Sequence, residues 1–126
     1  MKTARSSRHQ SASLTDSIDR LASVRSDWDS YGALPVAKSA RTRAKRLAIA
    51  LEELLGSRLP HPVVGPTVDG GIALVWRQAR LPRVHISVSS RGMKYLVLRN
   101  DTLVEQGKLS DVETFVRDVI KPYVLG

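Results

Sequence analysis

The stretch Pro66-Thr67-Val68-Asp69-Gly70-Gly71-Ile72-Ala73-Leu74-Val75-Trp76-Arg77 decides the fold. Asp-Gly-Gly is a hairpin signal because glycine reaches positive φ without steric cost. Beyond it the hydrophobic period becomes two: Ile72, Leu74 and Trp76 alternate with Ala73, Val75 and Arg77, the pattern of a strand with one face in a core. Before the turn, Val63–Val68 reads as the partner strand, with Pro66 suited only to an edge or a bulge. Downstream, Val84, Ile86 and Val88 alternate with His85, Ser87 and Ser89. Further strands are predicted at Lys94–Arg99 and Leu103–Gln106, beyond turns at Ser90-Arg91-Gly92 and Asn100-Asp101. Together these segments make an antiparallel meander of four or five strands.

Helical spacing flanks the meander. Leu14, Ile18 and Leu21 predict a short helix to about Val24, with Ser13 and Asp16 at the spacing of an N-terminal cap. In Ser26–Pro35, dense in turn formers, Trp28 and Tyr31 are expected to pin the linker onto the core. Ala40, Ala44, Leu47, Leu51 and Leu54 form the stripe of a second helix from about Lys38 to Leu55, which Gly56 stops. A final helix carries Val112, Phe115, Val116, Val119 and Ile120 on one face, with Ser110 and Glu113 as its capping box and Pro122 as its end. Residues 1–13 hold Lys2, Arg5 and Arg8 but no large apolar residue after Met1, so they read as a disordered basic tail. Residues 14–126 are then one α+β domain: two N-terminal helices, the antiparallel sheet, and a C-terminal helix packed on it.

The 126 residues suit one domain with a real core. The absence of cysteine excludes disulfides, thiol catalysis and cysteine-ligated metal sites. No apolar run is long enough to span a bilayer, and the polar N-terminus lacks a signal-peptide stretch, so the expected compartment is the cytoplasm. His9, His61 and His85 stand at no metal-ligand spacing. Asp69-Gly70-Gly71 lacks the Lys-Ser/Thr and following helix of a phosphate loop, and no Gly-x-Ser-x-Gly elbow occurs. No metal or cofactor is expected.

The net charge of +8 directs attention to large anionic partners, an acidic protein or nucleic acid. Two concentrations carry it: Lys38, Arg41, Arg43, Lys45 and Arg46 at the start of the second helix, and Arg77, Arg80, Arg83 and Arg99, which an up-and-down meander brings to one end of the sheet. Cations on the first turns and Glu52 and Glu53 on the last reverse what the helix dipole favours, at about 0.3–1 kcal/mol per terminal charge. Either carboxylates of the first helix pair with these cations, or they meet an acidic partner. On the sheet, His85 shares a strand face with Arg83, with Arg77 and either Tyr95 or Lys94 beside them. Arg77, Arg83, His85 and Tyr95 are the candidate groups for metal-free RNA cleavage, which requires a proton-transfer group and cations around the phosphate. The alternative is a solvated sheet face.

Helix, helix, antiparallel meander, helix in a small basic protein is similar in architecture, though in no residue motif, to the compact toxin ribonucleases of bacterial toxin–antitoxin modules. More specifically, Trp28-Asp29-Ser30-Tyr31-Gly32-Ala33-Leu34-Pro35 followed by the Pro66–Trp76 hairpin resembles a group of small bacterial proteins with a Trp-Asp-Gly-Tyr-Gly-Ala-x-Pro segment, a helix and a Pro-Thr-x-Asp-Gly-Gly-Ile-x-Leu-x-Trp hairpin; Ser30 stands where glycine is usual. The resemblance implies a bacterial or phage origin and an accessory role, and brings no catalytic residues. The two strings read as a scaffold unit, or as a groove lined by Trp28, Tyr31 and Trp76. The leading functional expectation is a non-enzymatic regulator of the antitoxin or inhibitor type that binds a macromolecule. A small toxin-type ribonuclease and a simple nucleic-acid binder are the alternatives.

Overall fold

The computed structural model describes residues 13–126, and the tail expected over residues 1–13 lies, apart from Ser13, outside them. The element order is α1 (Leu14–Asp19) with a 3-10 turn Arg20–Ser23, α2 (Lys38–Leu55) with a 3-10 turn Gly56–Arg58, β1 (Val63–Pro66), β2 (Ile72–Trp76), β3 (Arg83–Val88), β4 (Met93–Arg99), β5 (Thr102–Lys108), and a C-terminal helix, α3. α3 begins as α-helix over Val112–Phe115, widens to a π-helix over Val116–Ile120 and closes as α-helix over Lys121–Tyr123.

The five strands form one antiparallel sheet in the order β1-β2-β3-β4-β5, a simple meander. Register decides what each face carries. Trp76 pairs with Val84 and Val84 with Val97; Leu74 pairs with Ile86 and Ile86 with Tyr95; Ile72 pairs with Val88 and Val88 with Met93. This face meets the helices, and Ile72, Leu74, Trp76, Val84, Ile86, Val88 and Val97 are buried in the same core as Leu14, Ile18, Leu47, Leu51, Phe115 and Ile120. Burying a side chain of this size contributes about 1.5–3 kcal/mol. The other face carries Val75, His85 and Leu96 in one row and Ala73, Ser87 and Lys94 in the next.

Several terminators differ from expectation. Ser13 makes no side-chain cap to α1; its hydroxyl pairs with that of Thr15 at 3.3 Å. Asp111, not Ser110, caps α3, accepting from the Glu113 N–H at 3.2 Å and the Thr114 hydroxyl at 2.6 Å. A carboxylate there competes better than a hydroxyl because it also meets the positive helix terminus. Nor does Pro122 stop α3, which continues to Tyr123. Proline offers no N–H to the carbonyl four residues back and crowds it, and the π-turn immediately before it is the widening through which the helix proceeds. The first strand ends at Pro66, two residues early, because Thr67–Gly70 already form the turn.

Candidate macromolecule-binding surfaces

Helical geometry divides the cation run of α2 into two faces. Arg41 and Lys45, one turn apart, share a face: Lys45 Nζ pairs with Asp19 of α1 at 2.9 Å, and Arg41 Nε is buried without a hydrogen-bond partner among the described residues. With both side chains of the Lys45–Asp19 pair substantially exposed, it contributes about 0.2–1 kcal/mol. Lys38, Ser39, Thr42, Arg43 and Arg46 lie on the other side. There they line, with Leu47, Met93 and Val112, a groove of about 660 Å³ between α2, β4 and the start of α3. Arg43 is tied down, its Nε donating to the Ser89 carbonyl and its terminal nitrogen to the Ser90 carbonyl, both at 3.2 Å. That contact anchors the β3–β4 turn to α2 and leaves the charge uncompensated, since a carbonyl is only a dipole. Lys38 and Arg46 are exposed and, among the described residues, in no ion pair. Asp19 and two turn carbonyls thus offset part of the unfavourable dipole placement, and among the described residues no carboxylate lines the groove.

The second cluster lies where expected in the topology, since the β2–β3 and β4–β5 turns fall at one end of the sheet. Arg83 pairs with Asp101 at 2.8 Å, an exposed carboxylate in the tight turn where Asn100 and Asp101 both have positive φ. Arg77, Arg80 and Arg99 are exposed and form no ion pair among the described residues.

The candidate cleavage residues assemble in part: Arg77, Arg83 and His85 come together, and Tyr95 does not join them. His85 lies between Val75 and Leu96 on the face away from the helices, and the charges of Arg83 and Arg77 reach it. Burial, then these two cations, hold its pKa below the ordinary histidine value, and its Nε2 is covered and without a hydrogen-bond partner. Tyr95 is on the opposite face: its ring meets Phe115 edge-on at 5.2 Å and its hydroxyl donates to Glu105 at 3.0 Å. Burial and the Glu105 carboxylate raise its pKa. Pleating separates His85 from Tyr95, and the residue beside Ser87 on the outer face is Lys94. Among the described residues no three His, Asp or Glu side chains gather as a metal site.

The aromatic groove is also divided. Trp76 is in the core, 1% exposed, with its Nε1 donating to the Pro60 carbonyl at 2.8 Å. Tyr31 is 91% exposed and does not pin the linker onto the core, whereas Trp28, 39% exposed, donates its Nε1 proton to the Leu34 carbonyl at 3.1 Å; Ala33 is the buried residue of the linker, with Val36 buried just beyond it. Two carboxylates also organise the linker. Asp27 accepts from the Gly32 N–H at 2.7 Å, and Asp29 accepts from those of Tyr31 and Ala33 at 2.9 and 3.1 Å. Ser30 has φ 65°. The loop docks on the hairpin turn through Ala37 N–H to Gly70 carbonyl at 2.8 Å. In that turn the Thr67 hydroxyl bonds Asp69 and accepts from the Gly71 N–H, so the two strings form one structural unit.

The floor of the α2 groove is hidden in the sequence, where Val112 reads as the apolar face of the last helix and Met93 falls just outside the strand predicted at Lys94–Arg99. The i, i+4, i+8 spacing of Lys38, Thr42 and Arg46 would have separated the groove side from the α1 side. No family model, curated protein or solved structure matches the chain. No described helix is long and apolar enough to cross a membrane.

Proposed function

We propose that the protein is a non-enzymatic regulator, of the antitoxin or inhibitor type, that acts by holding an anionic macromolecule on the groove side of α2. The observation that supports this reading is the charge state of that side: Lys38, Arg43 and Arg46 border one groove, two hydroxyls lie among them, and among the described residues no carboxylate lines it. Like charges left together on a rigid helix raise the energy of the isolated protein, and an anionic partner relieves it. The ribonuclease reading has less support, because Tyr95 and His85 lie on opposite faces of the sheet.

Nucleic-acid binding draws on a second observation, the three arginines Arg77, Arg80 and Arg99 at one sheet end, without ion pairs among the described residues. Titration of labelled single-stranded RNA, duplex DNA and poly-glutamate into the purified protein at about 50 mM salt tests the proposal. Salt-sensitive binding of at least one polyanion is expected; no binding of any of them overturns it.

A further inference from the structure

Resting on the proposed reading of the groove as an anion-binding site, we infer that its occupant is an acidic amphipathic helix of a partner protein rather than a nucleic-acid strand. The groove has two chemistries. Its rim is cationic, with Lys38, Arg43 and Arg46, whereas its floor is apolar, made by Leu47, Met93 and Val112. A phosphate backbone uses the rim and has no use for such a floor. Single-stranded nucleic acid is gripped by cations together with aromatic faces on which bases stack, and among the described residues no aromatic side chain lines this groove.

An amphipathic helix uses both parts. Apolar residues at its i, i+3 or i+4, and i+7 positions enter a hydrophobic groove, and the carboxylates flanking that stripe meet the rim. Methionine at the floor suits this role, because its unbranched thioether side chain adapts to the shape of what it receives. Met93 and Val112 are each only half-buried, so the floor has apolar surface left to cover, and the volume of about 660 Å³ is in the range of sites that enclose several ligand side chains. Arg43, fixed on the Ser89 and Ser90 carbonyls, keeps one wall preorganised. Lys38 and Arg46, exposed and without ion pairs among the described residues, supply the charges that orient the incoming helix.

The test uses three fluorescein-labelled probes on the full chain: a peptide of about 20 residues with leucines at helical spacing flanked by glutamates, a scrambled peptide of identical composition, and a single-stranded RNA of similar length. The amphipathic peptide is expected to bind at least about tenfold more tightly than its scrambled isomer and to gain helical circular dichroism on binding. Met93→Ala is expected to weaken the peptide about fivefold or more while leaving RNA affinity unchanged. Thr42→Asp, at an exposed groove position that cannot disturb the core, is expected to weaken the peptide even if Met93→Ala fails to fold. Equal affinity for the two peptides, or tighter binding of RNA than of the amphipathic peptide, overturns the inference while the anion-binding reading stands. Failure of all three probes to bind removes both.

Discussion

Leu34 donates its backbone N–H to the Val68 carbonyl at 2.9 Å, joining the linker before α2 to the turn between β1 and β2. With the Ala37–Gly70 bond beside it, this contact joins the Trp28–Pro35 segment and the Pro66–Trp76 hairpin in a single corner. Gly71 is its tightest point, where a Cβ would stand 2.5 Å from the Val88 carbonyl oxygen and 2.9 Å from the Thr67 hydroxyl. Gly71→Ala is therefore expected to destabilise the fold by about 3 kcal/mol, since backbone must move to admit the methyl group. Gly65→Ala, on open space, is expected to be neutral within about 0.5 kcal/mol. Urea denaturation of the two variants checks this; equal midpoints would contradict it.

Ser30 occupies the left-handed region at φ 65°. A side chain there costs about 1–2 kcal/mol relative to glycine, partly offset by the greater freedom glycine has when unfolded. Ser30→Gly is expected to raise stability by about 0.5–1 kcal/mol, and a lowered melting temperature would show that the serine makes a compensating contact.

The exposed Tyr31 and the core Trp76 differ in what truncation costs. Tyr31→Ala removes a side chain that is 91% exposed and is expected to change stability by less than about 0.5 kcal/mol. Trp76→Phe removes the donor to Pro60 and leaves a cavity, at about 2–4 kcal/mol. Thermal melts followed by far-ultraviolet circular dichroism distinguish the two.

His85 gives the fold a pH dependence of definite sign. Because its folded pKa lies below the ordinary value of 6.5, the folded state favours the neutral imidazole and the unfolded state takes up the proton first. Its contribution is fully present above about pH 6.5 and declines as the pH falls from there through the folded pKa. His85→Val, placed between Val75 and Leu96, is expected to flatten the fall in melting temperature between pH 7.5 and pH 5. An unchanged slope would assign the loss to carboxylates instead.

Most of the fold was legible because local signals agreed with each other: the α2 stripe of Ala40, Ala44, Leu47 and Leu51 with its Gly56 stop, although Leu54 is exposed and Leu55 is the buried residue at that end, the alternation in β2 and β3, and the turn chemistry of Asp69-Gly70-Gly71. What failed was competition between neighbouring polar groups, as at Ser110 and Asp111, and the effect of Pro122, which the chain absorbed by a wider turn. The site was harder to read. Placing Tyr95 required knowing that it pairs with Ile86, a register that depends on the whole sheet. The groove depends on Met93 and Val112 arriving from two other elements, and helix spacing alone cannot reveal that.

Charge reversal at Lys38 and Arg46 tests the central claim most directly, because both side chains are exposed and neither anchors the fold, unlike Arg43, which holds the β3–β4 turn. The measurement is the affinity of the Lys38→Glu/Arg46→Glu double variant for poly-glutamate at about 50 mM salt, with the melting temperature as a check on folding. Expected is a loss of at least about tenfold at an unchanged melting temperature. Affinity equal to that of the unaltered protein would contradict the assignment of anion binding to this side of α2.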